Sequence, residues 1–272
     1  MKFENIRVYN FEHALRGMRN PKESYHLSDS EFGIAPTEDV IKYCAENDCD
    51  VWDVITYSYG PYCEYAVIGP NDIKLAQTLI KGGSEHRKFM RQIFVTVDIT
   101  APLYWWKEFD TYKVGTVANS TSTMHTVHKK PITLDSFETD DYKPGLGLVD
   151  PAPIGLRAEL FIEDLEQLRQ QYLYYADLAK KETDVDQKDK LKKTAKQYWK
   201  ELIRWTPDAW LQTRTVTMDY ENLLAMCSKG QRRFHKLNEW SGIDDFSNAN
   251  FIKFARQLPY SKQFLFIDEE NN

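Results

Sequence analysis

Residues 91–125 read RQIFVTVDITAPLYWWKEFDTYKVGTVANSTSTMH, and the fold is decided in this stretch. Its first part alternates: Ile93, Val95, Val97 and Ile99 fall on one side, Thr96 and Asp98 on the other, the period-two pattern of a half-buried strand. A tight turn is expected at Ala101-Pro102, followed by LYWWKEF as a helix with the proline in its first turn. From Lys113 onward small hydroxyl and amide residues take over. Such a loop supplies many short donors to a bound anion or ring, and by composition alone it also suits a plain surface loop.

Upstream, Pro70-Asn71 followed by Ile73, Ala76, Leu79 and Ile80 predicts an amphipathic helix that Gly82-Gly83 ends, because glycine tolerates a left-handed cap. Downstream, helical periodicity runs over 159–181 and again over 188–204, joined by the charged segment ETDVDQ. Leu191, Ala195, Tyr198 and Leu202 share one face, so the pair reads as a helical hairpin packed on the core or on another subunit, with its charges solvated. Pro207 stops it. A strand over 213–218 then leads to a helix capped by Asp219, and Asn248 is expected to cap the last helix. With no repeat, low-complexity tract or linker, the chain reads as one domain, 1–272, carrying the hairpin as an insertion at about 159–204. The fold class is α/β (α+β): a mixed sheet with flanking helices and a long helical hairpin.

Composition narrows the class of function. Of 272 residues, 42% are hydrophobic and 14% aromatic, which supports a packed core rather than disorder. The formal net charge of −6 argues against broad binding to DNA or RNA while leaving room for a small basic pocket. The four cysteines, Cys44, Cys49, Cys63 and Cys227, form no CxxC pair and read as reduced, mostly buried thiols. No stretch reaches the length of a signal peptide or membrane span, so a cytoplasmic protein is expected. No Ser-His-Asp order, P-loop, GxGxxG or metal-ligand spacing appears.

The segment 101–125 resembles the signature region of the flavin-dependent thymidylate synthases. That family has a strand, an Ala-Pro-like turn, a helix ending in Gln-x-x-Arg-His-Arg, and then x-x-Ser-x-Asn-Glu-x-Ser-x-Arg-Tyr. Here Glu108 falls where the Gln belongs, Thr111-Tyr112-Lys113 replaces Arg-His-Arg, and Thr116 stands for the first Ser. With one extra loop residue, Asn119, Ser120, Ser122, Met124 and His125 take the places of Asn, Glu, Ser, Arg and Tyr. Upstream, His86 matches the first histidine of the family's His-x-Ser/Thr-Pro-Phe-Glu-His; downstream, Arg232 or Arg233 and Glu239 match its C-terminal Arg and Glu. The similarity covers the order of elements from about 70 to 258, with few identities.

This resemblance implies reductive methylation of deoxyuridine monophosphate with FAD, methylenetetrahydrofolate and NADPH, at a site between subunits of a homotetramer. It implies FAD contacts at His86, Lys113, Thr116 and Asn119. Nucleotide contacts are implied at Lys107, Glu108, Ser120, Ser122, His125, Arg232 and Arg233. Trp105 and Trp106 read as core or interface aromatics, and Arg87 and His235 as cations near the expected site. The departures have physical weight, because Thr-Tyr-Lys replaces two forked guanidinium donors by one point charge. A homologue that binds nucleotide without flavin is therefore the alternative, and a purely structural helical-hairpin oligomer is a third reading.

Overall fold

The computed structural model describes residues 1–139, 153–228, 235–241 and 250–269, with side chains of the first long helix described from 158. In chain order the elements are β1 (Lys2–Tyr9), α1 (Phe11–Arg19), β2 (Glu31–Pro36), α2 (Thr37–Asn47), α3 (Val51–Val54), β3 (Ile55–Tyr59), β4 (Tyr62–Val67) and α4 (Pro70–Lys81). They continue as β5 (Phe94–Pro102), α5 (Leu103–Phe109), β6 (Val117–Ser120), α6 (Thr123–Thr126), α7 (Pro153–Lys181), α8 (Val185–Trp205), β7 (Leu211–Asp219) and α9 (Tyr220–Cys227). Short helical segments follow at Asn238–Ser241, Phe251–Arg256 and Ser261–Phe264. One sheet has the strand order β1-β5-β7-β6 and the other β2-β4-β3, with β4 antiparallel to both its neighbours. The expected mixture of sheet, flanking helices and long hairpin is therefore present.

The chain divides into two compact units. The first holds Met1–Ile99, Glu108–Asn119 and Arg214–Asn272. Its core is built on the alternation that runs from Ile93 into β5: Ile93, Val95, Val97 and Ile99 are completely buried, and Thr96 and Asp98 lie on the opposite face. Thr96 bonds to Tyr9 and Thr217, while Asp98 accepts from Asn5 and Thr215. Aromatics complete the core. Phe11 stands edge-on to Tyr220 and Tyr260, and Phe264 edge-on to Phe89 and Tyr220. A satellite core of Val40, Cys44, Val54 and Cys63 lies beneath the three-stranded sheet. All four cysteines are free thiols, three of them buried.

The helix over 70–81 ends as predicted, with the positive φ of 94° at Gly83 rather than at Gly82. The turn at Ala101-Pro102 does not form. β5 runs through Pro102, and the next two amides, of Leu103 and Tyr104, donate to Trp210 O and Asp208 O, so cross-strand bonding persists to the first residues of α5. The expected loop also holds a short strand, β6, and the single turn α6. Asn248 lies outside the described residues. Asn250 caps the helix Phe251–Arg256, its side chain accepting from Lys253 N at 2.9 Å.

The second unit holds Thr100–Lys107 and Ser120–Thr213. Leu165 and Leu202 of the hairpin bury against Val127, Ile132 and Phe137. The hairpin turn is only three residues long. Asp184 accepts from Gln187 N at 2.8 Å and starts α8. Glu166 ties α7 to the segment beside it: it accepts from Ile132 N at 2.7 Å, from Arg169 at 2.6 and 2.7 Å, and from Gln170 at 3.0 Å. Arg169 reaches on to His128 O at 3.2 Å.

The Arg169 hydrogen bonds hold the Glu166 carboxyl down at about 2, against the opposing effect of burial. A depressed carboxylate stabilises the fold above its ordinary value of 4.5, and that stability is lost as pH falls toward 2. Glu166→Gln should therefore lower unfolding free energy at pH 7 by about 2 kcal/mol. Denaturant melts should show the gap to wild type closing below the ordinary carboxylate range; a gap of constant size would remove the ion pair as its cause.

Candidate functional site

The first turn of α9 gathers three segments that are far apart in the first unit's sequence. Asp219 and Asn222 form a reciprocal capping box, Asp219 Oδ1 accepting from Asn222 N at 2.8 Å and Asn222 Oδ1 from Asp219 N at 3.3 Å. Asn222 Nδ2 also donates to Val114 O, which seats the 111–116 loop on the helix end. The other end of that loop is held by Arg214, whose Nη1 donates to Asp110 Oδ1 at 2.8 Å. From the third segment, Arg87 Nε donates to Glu221 Oε1 at 3.0 Å and Arg91 Nε to the other carboxylate oxygen.

The charges at this point are unequal. Burial pushes the Glu221 carboxyl up, but the hydrogen bonds from Arg91 and Arg87 outweigh it and hold it below the ordinary range. Asp219 moves the other way, raised mainly by burial. The helix end is thus occupied by its own carboxylate, so cationic character there comes from two guanidinium groups sharing one carboxylate, with exposed Lys113 on the adjoining loop.

Behind the loop lies an aromatic cluster. Tyr112 OH and His235 Nε2 are 3.1 Å apart, and the His235 ring stacks on Trp240 at 4.4 Å with the planes 10° apart. Glu108 Oε1 lies 3.6 Å from His235 Nδ1. Burial lowers the His235 pKa, with Glu108 opposing, and burial together with Glu108 raises that of Tyr112. A neutral imidazole sharing a hydrogen bond with a protonated phenol follows.

The residues named from sequence are distributed between the units. Within the first, Glu108 joins the His235 cluster, and Thr116 Oγ1 donates to Tyr112 O at 2.9 Å. His86 and Asn119 are exposed; His86 lies over Gly82 and its amide bonds to Gly83 O. Within the second, Lys107 pairs with Asp208. Ser120 and His125 are exposed, while Ser122 is half-buried and its carbonyl accepts from His125 N and Thr126 Oγ1. Arg232 and Arg233 lie outside the described residues. Sequence reasoning missed Glu221, Asn222 and Gly115. Arg87 and Arg91 are four residues apart, a spacing suited to two donors meeting one acceptor, but nothing local names Glu221 as that acceptor.

No family model matches this chain, and no curated protein does. Among solved structures, it is similar to a Helicobacter pylori flavin-dependent thymidylate synthase ThyX complexed with FAD and dUMP, at 13% identity and a TM-score of 0.42, covering 87% of this chain and 96% of that one. A second ThyX structure from the same organism, also with FAD and dUMP, gives 14% identity and a TM-score of 0.44, over 90% of this chain and 100% of that one. A UMP/dUMP methylase, PolB from Streptomyces cacaoi, bound with 5-Br UMP, gives 14% and 0.35, over 72% and 74%. Likenesses of this size assign neither family nor activity.

Gly115 lies where the loop meets the helix. Its φ is +83°, and a Cβ there would come within 2.7 Å of Asn222 Oδ1 and 2.8 Å of Asp219 Oδ2. Gly60 also has positive φ, +60°, but a Cβ there would meet nothing within 4 Å. Gly60→Ala should cost about 1 kcal/mol for backbone strain alone, and Gly115→Ala at least about twice that, because the capping box must also shift. Equal losses in chemical denaturation would contradict the seating of the loop on α9.

Proposed function

We propose that the chain binds a pyrimidine nucleotide at the first turn of α9. Reductive methylation of deoxyuridine monophosphate, with FAD, methylenetetrahydrofolate and NADPH, is the reaction that the sequence resemblance carries to it. The observation behind the proposal is that the segments around His86–Arg91 and Thr111–Thr116, which carry residues the resemblance picks out, converge with Asp219–Asn222 in one compact unit. Arg87 and Arg91, with Lys113, supply charge for a phosphate, and the half-buried Tyr112 with the Tyr112–His235–Trp240 cluster supplies apolar surface. Arg232 and Arg233 join them in this reading.

The loop residues do not fit a flavin diphosphate. Thr111 Oγ1 donates to Glu108 O at 2.7 Å, Thr116 Oγ1 to Tyr112 O, and Tyr112 OH is engaged with His235. Lys113 alone extends from the loop as a cation, where a diphosphate calls for several donors in fixed geometry. This commitment of the loop's hydroxyls favours the second reading, a nucleotide-binding protein without flavin. The chain carries the apolar residues Val114 and Val117, 88% and 67% exposed, on and beside the loop, which suits a site completed by a second copy in a homotetramer.

Purified protein should gain about 2.7 kcal/mol of stability with deoxyuridine monophosphate at a hundred times its dissociation constant, read as a rise in melting temperature. Without flavin its visible spectrum should be empty. A yellow protein with a flavin band would restore the flavoenzyme reading, and no thermal response to the nucleotide would defeat the nucleotide site.

A further inference from the structure

A second candidate site lies in the hairpin and shares no residue with the site proposed above. A groove of about 550 Å³ is lined by Tyr172, Lys180, Lys188, Lys192, Lys196 and Trp199, and the rest of its lining is alanine. The helix supplying most of it, α8, has seven Lys or Arg residues against three Asp or Glu, in a chain of net charge −6. Lys188, Lys192 and Lys196 recur every four residues and so share one face over roughly 12 Å. Lys180 faces the same groove from α7.

A charged helix is usually a solvated face, and two observations set this one apart. No carboxylate lines the groove among the described residues; the nearest compensation is Asp189 at 3.3 Å from Lys192 Nζ, on exposed side chains, while Lys188 Nζ donates to the carbonyl of Glu182 at 3.2 Å. The two aromatic walls are also held in place. Trp199 Nε1 donates to Met124 O at 3.1 Å, and the Tyr172 ring stands edge-to-face with His128 at 4.9 Å. Both rings are half-buried rather than free on the surface.

We infer that this groove binds a nucleotide carrying two or more phosphates. Four ammonium groups with no lining acid are offset by a ligand of several negative charges, and two fixed rings offer a stacking surface for a base. The volume falls within the range of small-molecule sites, roughly 300–1,000 Å³. The same chemistry is presented by a free nucleoside triphosphate and by consecutive nucleotides of a single strand.

Titrations of the full chain with ATP, with a ten-residue oligothymidylate and with inorganic tripolyphosphate, followed by tryptophan fluorescence and calorimetry, test this. Lys192→Glu together with Lys196→Glu should weaken ATP or oligonucleotide at least tenfold, and Trp199→Phe should weaken it with the lysines intact. Both variants should keep the wild-type circular dichroism and the wild-type thermal response to deoxyuridine monophosphate. ATP binding tighter than the oligonucleotide would support the site as one for free nucleotide, and the reverse order as one for a single strand. Unchanged affinity in the charge-reversal variant, or tripolyphosphate binding as tightly as ATP, would overturn the inference.

Discussion

Every helix begins with amide groups that need partners, and the first turn of α9 meets that need with its own residues. Asp219 caps it, Asn222 returns the favour to the Asp219 amide, and the spare donor of Asn222 takes the carbonyl of Val114. Gly115 follows because only a residue without Cβ fits against that box at positive φ. Glu221, on the same turn, draws in Arg87 and Arg91. Loop, helix and cationic pair are therefore positioned by one local solution to a capping problem.

The same solution limits what the site can bind. With its N-terminus occupied by a carboxylate, α9 has no free amides to offer a phosphate, so attraction depends on guanidinium groups half-neutralised by Glu221. The loop hydroxyls face inward onto backbone carbonyls and His235. A site of this kind suits a singly phosphorylated ligand better than a dinucleotide.

Much of the fold was legible because burial imposes periodicity. The alternation over 93–99 foretold four buried aliphatics, the spacing of Leu191, Ala195, Tyr198 and Leu202 foretold the hairpin, and Asp219 announced the start of α9. Residues 1–69 yielded no such reading. There the decisive features are non-local, such as the buried pair of Arg19 with Asp72 at 2.6 Å, which Ser28 and Ser30 complete from 44 and 42 residues away. The turn misplaced at Ala101-Pro102 shows the same limit, since the strand is extended there by carbonyls of Asp208 and Trp210 that local sequence does not reveal. Glu221 escaped notice because its partners lie 130 and 134 residues away.

Hydrogen exchange with and without deoxyuridine monophosphate tests the central claim most directly, since it reports all three segments at once. Slower exchange is expected together in residues 86–92, 111–116 and 219–222. Protection confined to any one of these segments, or none in any of them at saturating nucleotide, would contradict the assignment of a single site to the first turn of α9.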